Sequence, residues 1–381
     1  MPELPEVETI ARDLRGLVAG ARIVGTRSNW PRTVRSHDLD AFATAVSGRE
    51  VVAIGRRGKQ LLIMLDPVPL AAAVRGSAAR VDPGAGSIDP EPAEPAVLTV
   101  HLKMTGQLFV VPAGTPQDRH VHLVFELSDG RELRFRDMRK FGRIGLYRRD
   151  VETGVPPKGE ADGVLPRGAE PLSDEFTLEL FFEMLGVRRG RLKTLLMNQD
   201  FLAGVGNIYA DEALWQARLH PLREARSLRP DEVRRLYGAL LGVLSEAVMR
   251  RGSSVDDYTA PEGDGSMQEH LAVYQRGGEP CLRCGRLIRR IVVGGRSTHF
   301  CGWCQRLPAG HRAAVSKLAA TTGPATAAAA DRPRRGPRWT ELDGEGALGR
   351  TVDEETRARR LAANRRAAAA RRASARLGGP A

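Results

Sequence analysis

The chain has few cysteines and no long apolar run, and both absences restrict the class of protein to which it can belong. All four cysteines lie between Cys281 and Cys304, so no scattered pairs can form an extracellular disulfide framework. No stretch reaches the roughly 18 apolar residues that a membrane span needs, and the first residues show no basic segment followed by an apolar run. We therefore expect a cytoplasmic protein with no membrane partner.

The charge is strongly positive but unevenly distributed. The 381 residues carry a formal net charge of +12, which favours a polyanionic partner such as nucleic acid or an acidic membrane surface. From Leu307 to Ala381, however, 15 Lys or Arg stand against 7 Asp or Glu. Most of the excess therefore belongs to this tail, whose arginine pairs predict salt-sensitive, sequence-independent attraction to phosphates. A solvated low-complexity tail without such a role is the alternative.

The residue pattern predicts a multidomain α+β protein. Val7, Ile10, Leu14 and Leu17 indicate an amphipathic helix that begins near Pro5 and ends before a glycine. Eight short apolar and β-branched runs then predict an eight-stranded β-sandwich or flattened barrel. The runs are 22–24, 51–54, 61–65, 98–102, 108–111, 122–126, 132–135 and 144–147. Further along, helical periodicity covers 176–185, 191–197, 210–217 and 230–249.

Composition sets the predicted domain boundaries. The stretch 66–95 is rich in Ala, Pro and Gly and predicts a disordered insertion between two strands. A second cluster of Pro and Gly, 154–171, separates the β region from the helical region. We therefore predict a β-sandwich domain over 1–153, a helical domain over 154–270, a cysteine-containing module over 271–306 and a disordered basic tail over 307–381.

The four cysteines form two pairs with the spacing of a metal site. Cys281 and Cys284 are followed, after 16 residues, by Cys301 and Cys304, and two such turns bring four thiolates around a tetrahedral zinc ion. Four thiolates leave no open position for water, so we predict one structural Zn²⁺ per chain; two disulfides are the alternative. The residues between the pairs predict a β-hairpin that turns at Gly294-Gly295 and projects Arg296, a candidate phosphate contact.

The amino terminus carries a candidate nucleophile. If Met1 is removed, Pro2 becomes a free secondary amine beside Glu3, with Glu6 one helical turn further on. A secondary amine attacks an electrophilic carbon and forms a cationic imine, which is the basis of covalent catalysis by amines. The same residues also suit an ordinary helix start, because Pro is favoured in the first turn and acids near the positive end.

Four separated motifs, taken together, resemble one known family. They are PELPEVET at the amino terminus, RRGKQLL around Lys59, GVGNIYADEAL from Gly204 to Leu214, and the cysteine module with GRSTHFC. The sequence is similar to the formamidopyrimidine-DNA glycosylase family, which includes a related endonuclease VIII branch, over about residues 1–306. The resemblance implies an amino-terminal β-sandwich, a helix-two-turn-helix domain and a zinc β-hairpin, and hence damaged double-stranded DNA as the partner of a monomer associated with the nucleoid.

The resemblance also implies a mechanism. Pro2 attacks the anomeric carbon of a damaged nucleotide and expels the base, Glu3 helps to open the sugar and moves protons, and successive β- and δ-eliminations cut the strand. Lys59 and Arg296 complete the catalytic set by contacting phosphates near the lesion. A lysine in solvent at the former position, and a surface arginine at the latter, are the alternatives.

Further residues match the family's contacts to DNA. His101 and Asn207 match phosphate contacts, while Met104, Arg139 and Phe141 match the side chains that fill the gap left by an extruded base. Lys103 stands where glycine is common in the family and Met138 where proline is common. The resemblance adds Glu6, Tyr209 and Tyr258 to the predicted DNA-binding set.

The lesion class follows from one glycine-rich segment. The stretch GSSVDDYTAPEGDGSM, between Arg251 and Gln268, resembles the loop that covers an extruded oxidised purine and that the endonuclease VIII branch usually lacks. The expected substrates are therefore 8-oxoguanine and ring-opened formamidopyrimidines. Excision of oxidised pyrimidines is one alternative, and a damaged-DNA-binding protein without catalytic activity is another. A plain surface loop is the alternative for the segment itself.

Overall fold

The computed structural model of the chain describes residues 1–67, 94–253 and 265–308. Most of the predicted insertion, residues 254–264 of the lesion-covering segment (with Tyr258), and the tail from residue 309 lie outside the described residues. Within the described ranges, no helix is both long enough and apolar enough to cross a membrane.

The first helix begins where the sequence predicts. Helix α1 covers Leu4–Val18, with Pro5 in its first turn, where the missing N–H of proline costs no hydrogen bond. The carboxylate of Glu6 accepts a hydrogen bond from the backbone N–H of Glu3 at 2.8 Å, which satisfies a donor that the helix itself cannot. Val7, Ile10 and Leu14 of the apolar stripe of α1 are buried, and Leu17 is partly buried against the same core.

Eight strands form two four-stranded antiparallel sheets, as predicted for a β-sandwich. The strands are β1 (Ile23–Ser28), β2 (Arg49–Arg57), β3 (Gln60–Pro67), β4 (Ala96–His101), β5 (Gly106–Pro112), β6 (Val121–Leu127), β7 (Arg131–Asp137) and β8 (Arg143–Arg148). One sheet has the order β1-β6-β7-β5 and the other β2-β3-β4-β8. Helix α2 (Leu39–Val46) lies between β1 and β2 and was not predicted from the sequence. The carboxylate of Asp38 caps this short helix by accepting the N–H of Ala41 at 2.8 Å.

Successive side chains of β3 point to opposite faces of its sheet, one toward the core and one outward. Leu61, Ile63 and Leu65 are buried in the core between the sheets, together with Phe125 and Phe135 from the opposite sheet. The intervening residues of β3, beginning with Gln60, therefore point to the outer face. Burial of the odd-numbered set holds the register of the whole sheet, because a slip of one residue would expose it.

Four α-helices build the second part of the described chain around its own core. They are α3 (Leu178–Gly186), α4 (Leu192–Leu196), α5 (Asn207–Gln216) and α6 (Pro230–Met249). Phe181, Tyr209 and Leu240 are completely buried in this core. Helix α5 begins at Asn207 rather than at the predicted Ala210, because the backbone leaves the extended conformation only after Gly206.

The cysteine module contains the predicted hairpin. Strands β9 (Arg289–Val293) and β10 (Arg296–Phe300) pair in an antiparallel arrangement. Gly294 and Gly295 connect them with φ angles of 55° and 73°, the left-handed conformations that a tight two-residue turn requires. Arg296 is therefore the first residue after the turn, and its side chain is exposed.

Candidate active site

The amino terminus lies against the turn that precedes α5. The backbone N–H of Leu4 donates to the carbonyl of Gly204 at 3.0 Å. Gly204 has a φ of +87°, and a Cβ at this position would lie 2.6 Å from the Cβ of Leu4. Glycine is therefore required here both for the backbone conformation and for the close approach of the two segments. This contact brings the PELPEVET and GVGN motifs together.

Glu3 is buried at the amino-terminal end of α5. Its carboxylate accepts the backbone N–H of Ile208 at 3.0 Å, with the N–H of Tyr209 at 3.5 Å from the second oxygen. These first-turn N–H groups have no partner within the helix, and the positive end of the helix dipole favours a negative charge. The site therefore holds the Glu3 carboxyl group in one place while leaving it only 2% exposed.

Lys59 is brought to the same point from the β-sandwich. A Cβ added to Gly206 would lie 2.4 Å from Oε1 of Glu3 and 2.5 Å from Nζ of Lys59, so the two charged groups are close neighbours at this glycine. Burial lowers the pKa of Lys59, and the carboxylates of Glu3 and Glu6 oppose that shift. The side chain is only 6% exposed, which differs from the solvated lysine expected for an ordinary surface position.

Pro2 is buried next to these groups. Met1 is present in the structure, so the Pro2 nitrogen belongs to an amide and becomes a secondary amine only when Met1 is removed. The predicted nucleophile is therefore a buried residue that directly precedes Glu3 in the chain.

Glu6 and Tyr209 join α1 to the helical region. The Tyr209 hydroxyl donates to Oε1 of Glu6, and the backbone N–H of Ser253 donates to the same oxygen at 2.8 Å. Burial raises the pKa of Glu6, and repulsion from Glu3 raises it further. The Tyr209 side chain has no exposed surface, and its hydroxyl is held by the buried Glu6.

His101 stands at the end of β4 as a neutral ring. Burial lowers its pKa to about 3, with smaller effects from the charges of Lys103 and Lys59. Its Nδ1 accepts the backbone N–H of Lys103 at 3.0 Å, so the ring proton is on Nε2 and can be donated to a phosphate oxygen. Lys103 itself has a φ of +56°, a left-handed conformation that explains why glycine suits this position.

The three predicted gap-filling residues are held in two neighbouring loops by one buried carboxylate. Asp137 has no exposed surface, and its oxygens accept the Thr105 hydroxyl at 2.5 Å, the N–H of Arg139 at 3.1 Å and the N–H of Gly142 at 2.7 Å. The first of these bonds fixes the loop that carries Met104, which is 36% exposed, and the others fix the loop that carries Arg139 and Phe141.

Arg139 and Phe141 form a unit at the surface. The guanidinium carbon of Arg139 lies 5.0 Å from the centre of the Phe141 ring, a cation–π contact. Phe141 is 45% exposed although it is a large apolar residue. An exposed aromatic ring with a stacked arginine is suited to insertion beside nucleobases.

Asn207 connects the GVGN turn with the hairpin. Its Nδ2 donates to the carbonyl of Ser297 at 3.0 Å, while its Oδ1 is buried and has no hydrogen-bond partner among the described residues. One helical turn further along α5, Asp211 forms a buried ion pair with Lys193 at 2.8 Å. Asp211 also accepts the backbone N–H of His299 at 2.8 Å. These bonds fix the hairpin, and with it Arg296, against the start of α5.

The four cysteine sulfurs have the geometry of a tetrahedral metal site. All four Sγ atoms lie within 4.8 Å of one another, and none is in a disulfide. The Sγ atoms of Cys284 and Cys301 are 3.5 Å apart and those of Cys281 and Cys304 are 4.0 Å apart, close to the ~3.8 Å edge of a tetrahedron with Zn–S bonds of about 2.3 Å. The donor set fits one structural Zn²⁺, as predicted.

Removal of zinc is expected to weaken DNA binding without unfolding the β-sandwich. When the metal is removed the four cysteines take up protons and nothing links them, so they no longer hold the hairpin; Arg296 therefore loses its position, whereas the sandwich has a separate core. We expect a strong chelator to weaken binding to a lesion-containing duplex at least about tenfold. Binding measured by fluorescence anisotropy, with circular dichroism in parallel, checks this.

Restoration by Zn²⁺ but not by Mg²⁺ is the control for the chelation experiment. Unchanged DNA affinity of protein shown by mass spectrometry to be free of zinc would contradict the structural role of the metal.

Three charged residues that hold the site together are not among the predicted site residues, although Asp211 lies within the GVGNIYADEAL motif. Asp137, Lys193 and Asp211 each look like one charged residue among many, and only the structure shows that they are buried. Burial of a charged side chain requires partners, and here the partners belong to distant segments. In the sequence, their burial is indicated only by the position of each charge at the end of a strand or on an apolar helix face.

Family models match all three described regions in order. The formamidopyrimidine-DNA glycosylase N-terminal domain matches residues 1–144, the H2TH domain of the same enzymes matches 167–259, and a zinc finger found in FPG and IleRS matches 278–307.

Individual relatives agree with these matches. The chain is 44% identical over 307 residues to the formamidopyrimidine-DNA glycosylase of Herpetosiphon aurantiacus, which covers 80% of this chain and all of the relative. The crystal structure of the MutM (Fpg) protein from Thermus thermophilus is 40% identical, with a TM-score of 0.63, and the match covers 80% of this chain and 98% of that one.

A third relative is solved with DNA. The wild-type Lactococcus lactis Fpg in complex with DNA containing N7-benzyl-Fapy-dG is 32% identical, with a TM-score of 0.65, over 80% of this chain and all of that chain. With the motifs, the fold, the clustered site and these matches in agreement, the chain belongs to the formamidopyrimidine-DNA glycosylase family.

Proposed function

We propose that the protein removes oxidised purines from duplex DNA and then cuts the damaged strand, with the amine of Pro2 as its nucleophile. It is a DNA glycosylase and lyase of base-excision repair. The observation that carries the proposal is the meeting of Lys59 with Glu3, the residue directly after Pro2 in the chain, at the amino-terminal end of α5. The relative solved with a Fapy-dG lesion supports a purine substrate.

The chemistry uses one nitrogen for both reactions. After loss of Met1, the Pro2 nitrogen bonds to C1′ of the damaged nucleotide and passes its proton to Glu3, while the C1′–N bond to the base breaks and the base takes a proton from solvent. The sugar ring then opens as the C1′–O4′ bond breaks and O4′ gains a proton, for which Glu3 is the positioned acid. The resulting imine acidifies C2′, so the 3′ phosphate and then the 5′ phosphate leave by elimination.

Cationic and hydrogen-bonding groups around this point hold the strand. We assign phosphate contacts to Lys59, His101, Asn207 and Arg296, and the filling of the vacated stack to Met104, Arg139 and Phe141. Glu6 lies within the same cluster, where burial raises its pKa, and we assign it to the DNA-binding set as well. Tyr258 retains its proposed place in the lesion-covering loop.

The organisation of the chain completes the proposal. The sandwich domain (1–153), the helix-two-turn-helix domain (154–270) and the zinc hairpin (271–306) act together on DNA, and the basic tail (307–381) adds sequence-independent attraction. We further propose that the protein acts as a monomer, in the cytoplasm and associated with the nucleoid.

The lesion class is tested by comparing duplexes that differ only in the damaged base. We expect single-turnover excision of 8-oxoguanine opposite cytosine to be at least about tenfold faster than excision of thymine glycol, since a polar pocket rejects a base that leaves its groups unpaired. A duplex with a preformed abasic site is the control, because it needs no base recognition. Faster excision of thymine glycol would assign the protein to the endonuclease VIII branch instead.

A further inference from the structure

A cationic cavity lies on the outer face of the second sheet, beside the proposed active site. Its volume is about 270 Å³, and Arg35, Lys103 and Arg143 line it together with His101 and the inner Gln60. None of the described residues that line it is acidic. A concave site with several cations and no carboxylate is suited to an anion.

The strand register explains how these residues meet. Gln60 on β3 pairs with His101 on β4, which pairs in turn with Arg143 on β8. The three side chains therefore form one row across the outer face, with steps of about 4.8 Å between strands. The row begins at the residue after Lys59 and leads away from the active site.

Arg35 extends the row beyond the last strand of the sheet. The backbone N–H of Arg35 donates to the carbonyl of Ile144 at 2.9 Å, which places Arg35 next to Arg143 along the edge of β8. Burial lowers the pKa of Arg143, and the neighbouring charge of Arg35 adds to that effect. Asp137 partly opposes that effect, but no acidic residue is among the described residues that line the cavity, so a bound anion would relieve the repulsion between the two guanidinium groups.

The floor of the cavity supplies a second indication of a ligand. Gln60 is only 7% exposed, and its Nε2 donates to the carbonyl of Val164 at 2.8 Å. Its Oε1 is buried without a hydrogen-bond partner among the described residues. A buried unpaired acceptor is costly, and a water molecule ordered by a bound phosphate would satisfy it.

We propose that this cavity, through Arg35, Lys103 and Arg143, binds a further backbone phosphate of the DNA. This inference rests on the proposed function, since it assumes DNA in the groove. The phosphate lies beyond the one assigned to Lys59 and His101, in the direction of the row. Such a contact adds affinity and register but reads no base.

The test uses the double variant Arg35→Ala/Arg143→Ala and a duplex with a tetrahydrofuran abasic analogue, which cannot be excised. Loss of one phosphate contact should reduce the slope of log K against log salt concentration by about 0.9 and weaken binding roughly tenfold near physiological salt. Arg226→Ala is the matched control, because Arg226 is half exposed in the helical region and paired with Glu224 at 2.7 Å. It should leave the slope unchanged.

A scan of neutral phosphates locates the contact. Each phosphate of the damaged strand is replaced in turn by a methylphosphonate, and we expect one position at which the wild type loses affinity but the double variant does not. An unchanged salt slope in the double variant, or equal losses in both proteins at every position, would overturn the proposal. Competition by millimolar inorganic phosphate in the wild type alone would instead assign the cavity to a free phosphate and would also overturn it.

The outcome is separable from that of the proposed function. Single-turnover excision at saturating protein and low salt should be the same in the double variant and the wild type, and thermal unfolding should show that both are folded. If the wild type does not excise 8-oxoguanine, the proposed function fails. The phosphate scan on the uncleavable duplex still shows whether the cavity binds a backbone phosphate.

Discussion

Blocking the Pro2 nitrogen will abolish both base excision and strand cleavage. With Met1 retained the nitrogen is part of an amide, its lone pair is delocalised, and it cannot form an imine. We expect single-turnover excision of 8-oxoguanine to fall by at least about 10⁴-fold. The measurement compares protein whose amino terminus has been shown by mass spectrometry to begin at Pro2 with protein that retains Met1.

A substitution separates the chemistry of Pro2 from its structural role. Pro2→Gly leaves a primary amine on a flexible residue, and a displacement of about 1 Å at a reacting atom can cost about 10²-fold, so excision should fall by at least that factor. Pro5→Ala is the matched control: Pro5 is buried in the first turn of the same helix, and its loss should affect stability while excision stays within about threefold of wild type. Equal effects of the two substitutions would show that only the helix start matters.

Replacing Glu3 with glutamine will separate base excision from strand cleavage. Glutamine keeps the size of the side chain and one acceptor for the Ile208 N–H, but it cannot transfer a proton. Excision of 8-oxoguanine should therefore fall by about 10²- to 10⁴-fold. Cleavage of a preformed abasic site should fall by no more than about tenfold, because that sugar already exists in part as an open aldehyde and needs less acid assistance.

The control for this substitution lies on the next turn of the same helix. Glu8→Gln removes a carboxylate that pairs with Arg56 at 3.0 Å and is separate from the proposed chemistry, so excision should remain near the wild-type rate. Excision by Glu3→Gln within about threefold of wild type would contradict the assigned role of Glu3. Loss of thermal stability in Glu3→Gln alone would show instead that the carboxylate mainly supports α5.

Much of the fold could be predicted because local patterns and final positions agree. The eight strands follow from short apolar and β-branched runs such as residues 61–65, and the structure buries Leu61, Ile63 and Leu65 of this run in the core. The zinc hairpin follows from paired cysteines around two consecutive glycines. The order β1-β6-β7-β5 could not be predicted, since it depends on which distant strands share a core rather than on any local pattern.

The residues of the site could be predicted from the sequence, but the contacts between them could not. The motifs identify Glu3, Lys59 and Asn207, yet no pattern shows that Gly206 brings Glu3 and Lys59 together or that Asn207 donates to the hairpin. These contacts cross long sequence separations. The role of Asp137 in fixing two loops was also missed, because a carboxylate that accepts bonds from the following loop and from Thr105, 32 residues away, looks like any other acid in the sequence.

The identity of the reacting nitrogen is the central claim, and the structure contains a competitor for it. Burial lowers the pKa of Lys59, so this lysine is also an amine with an increased neutral fraction in the same cluster. Borohydride reduction on duplex DNA containing 8-oxoguanine, followed by proteolysis and mass spectrometry, identifies which peptide carries the sugar. We predict the adduct on the nitrogen of Pro2; an adduct on Lys59, or no adduct from active protein, would contradict the mechanism.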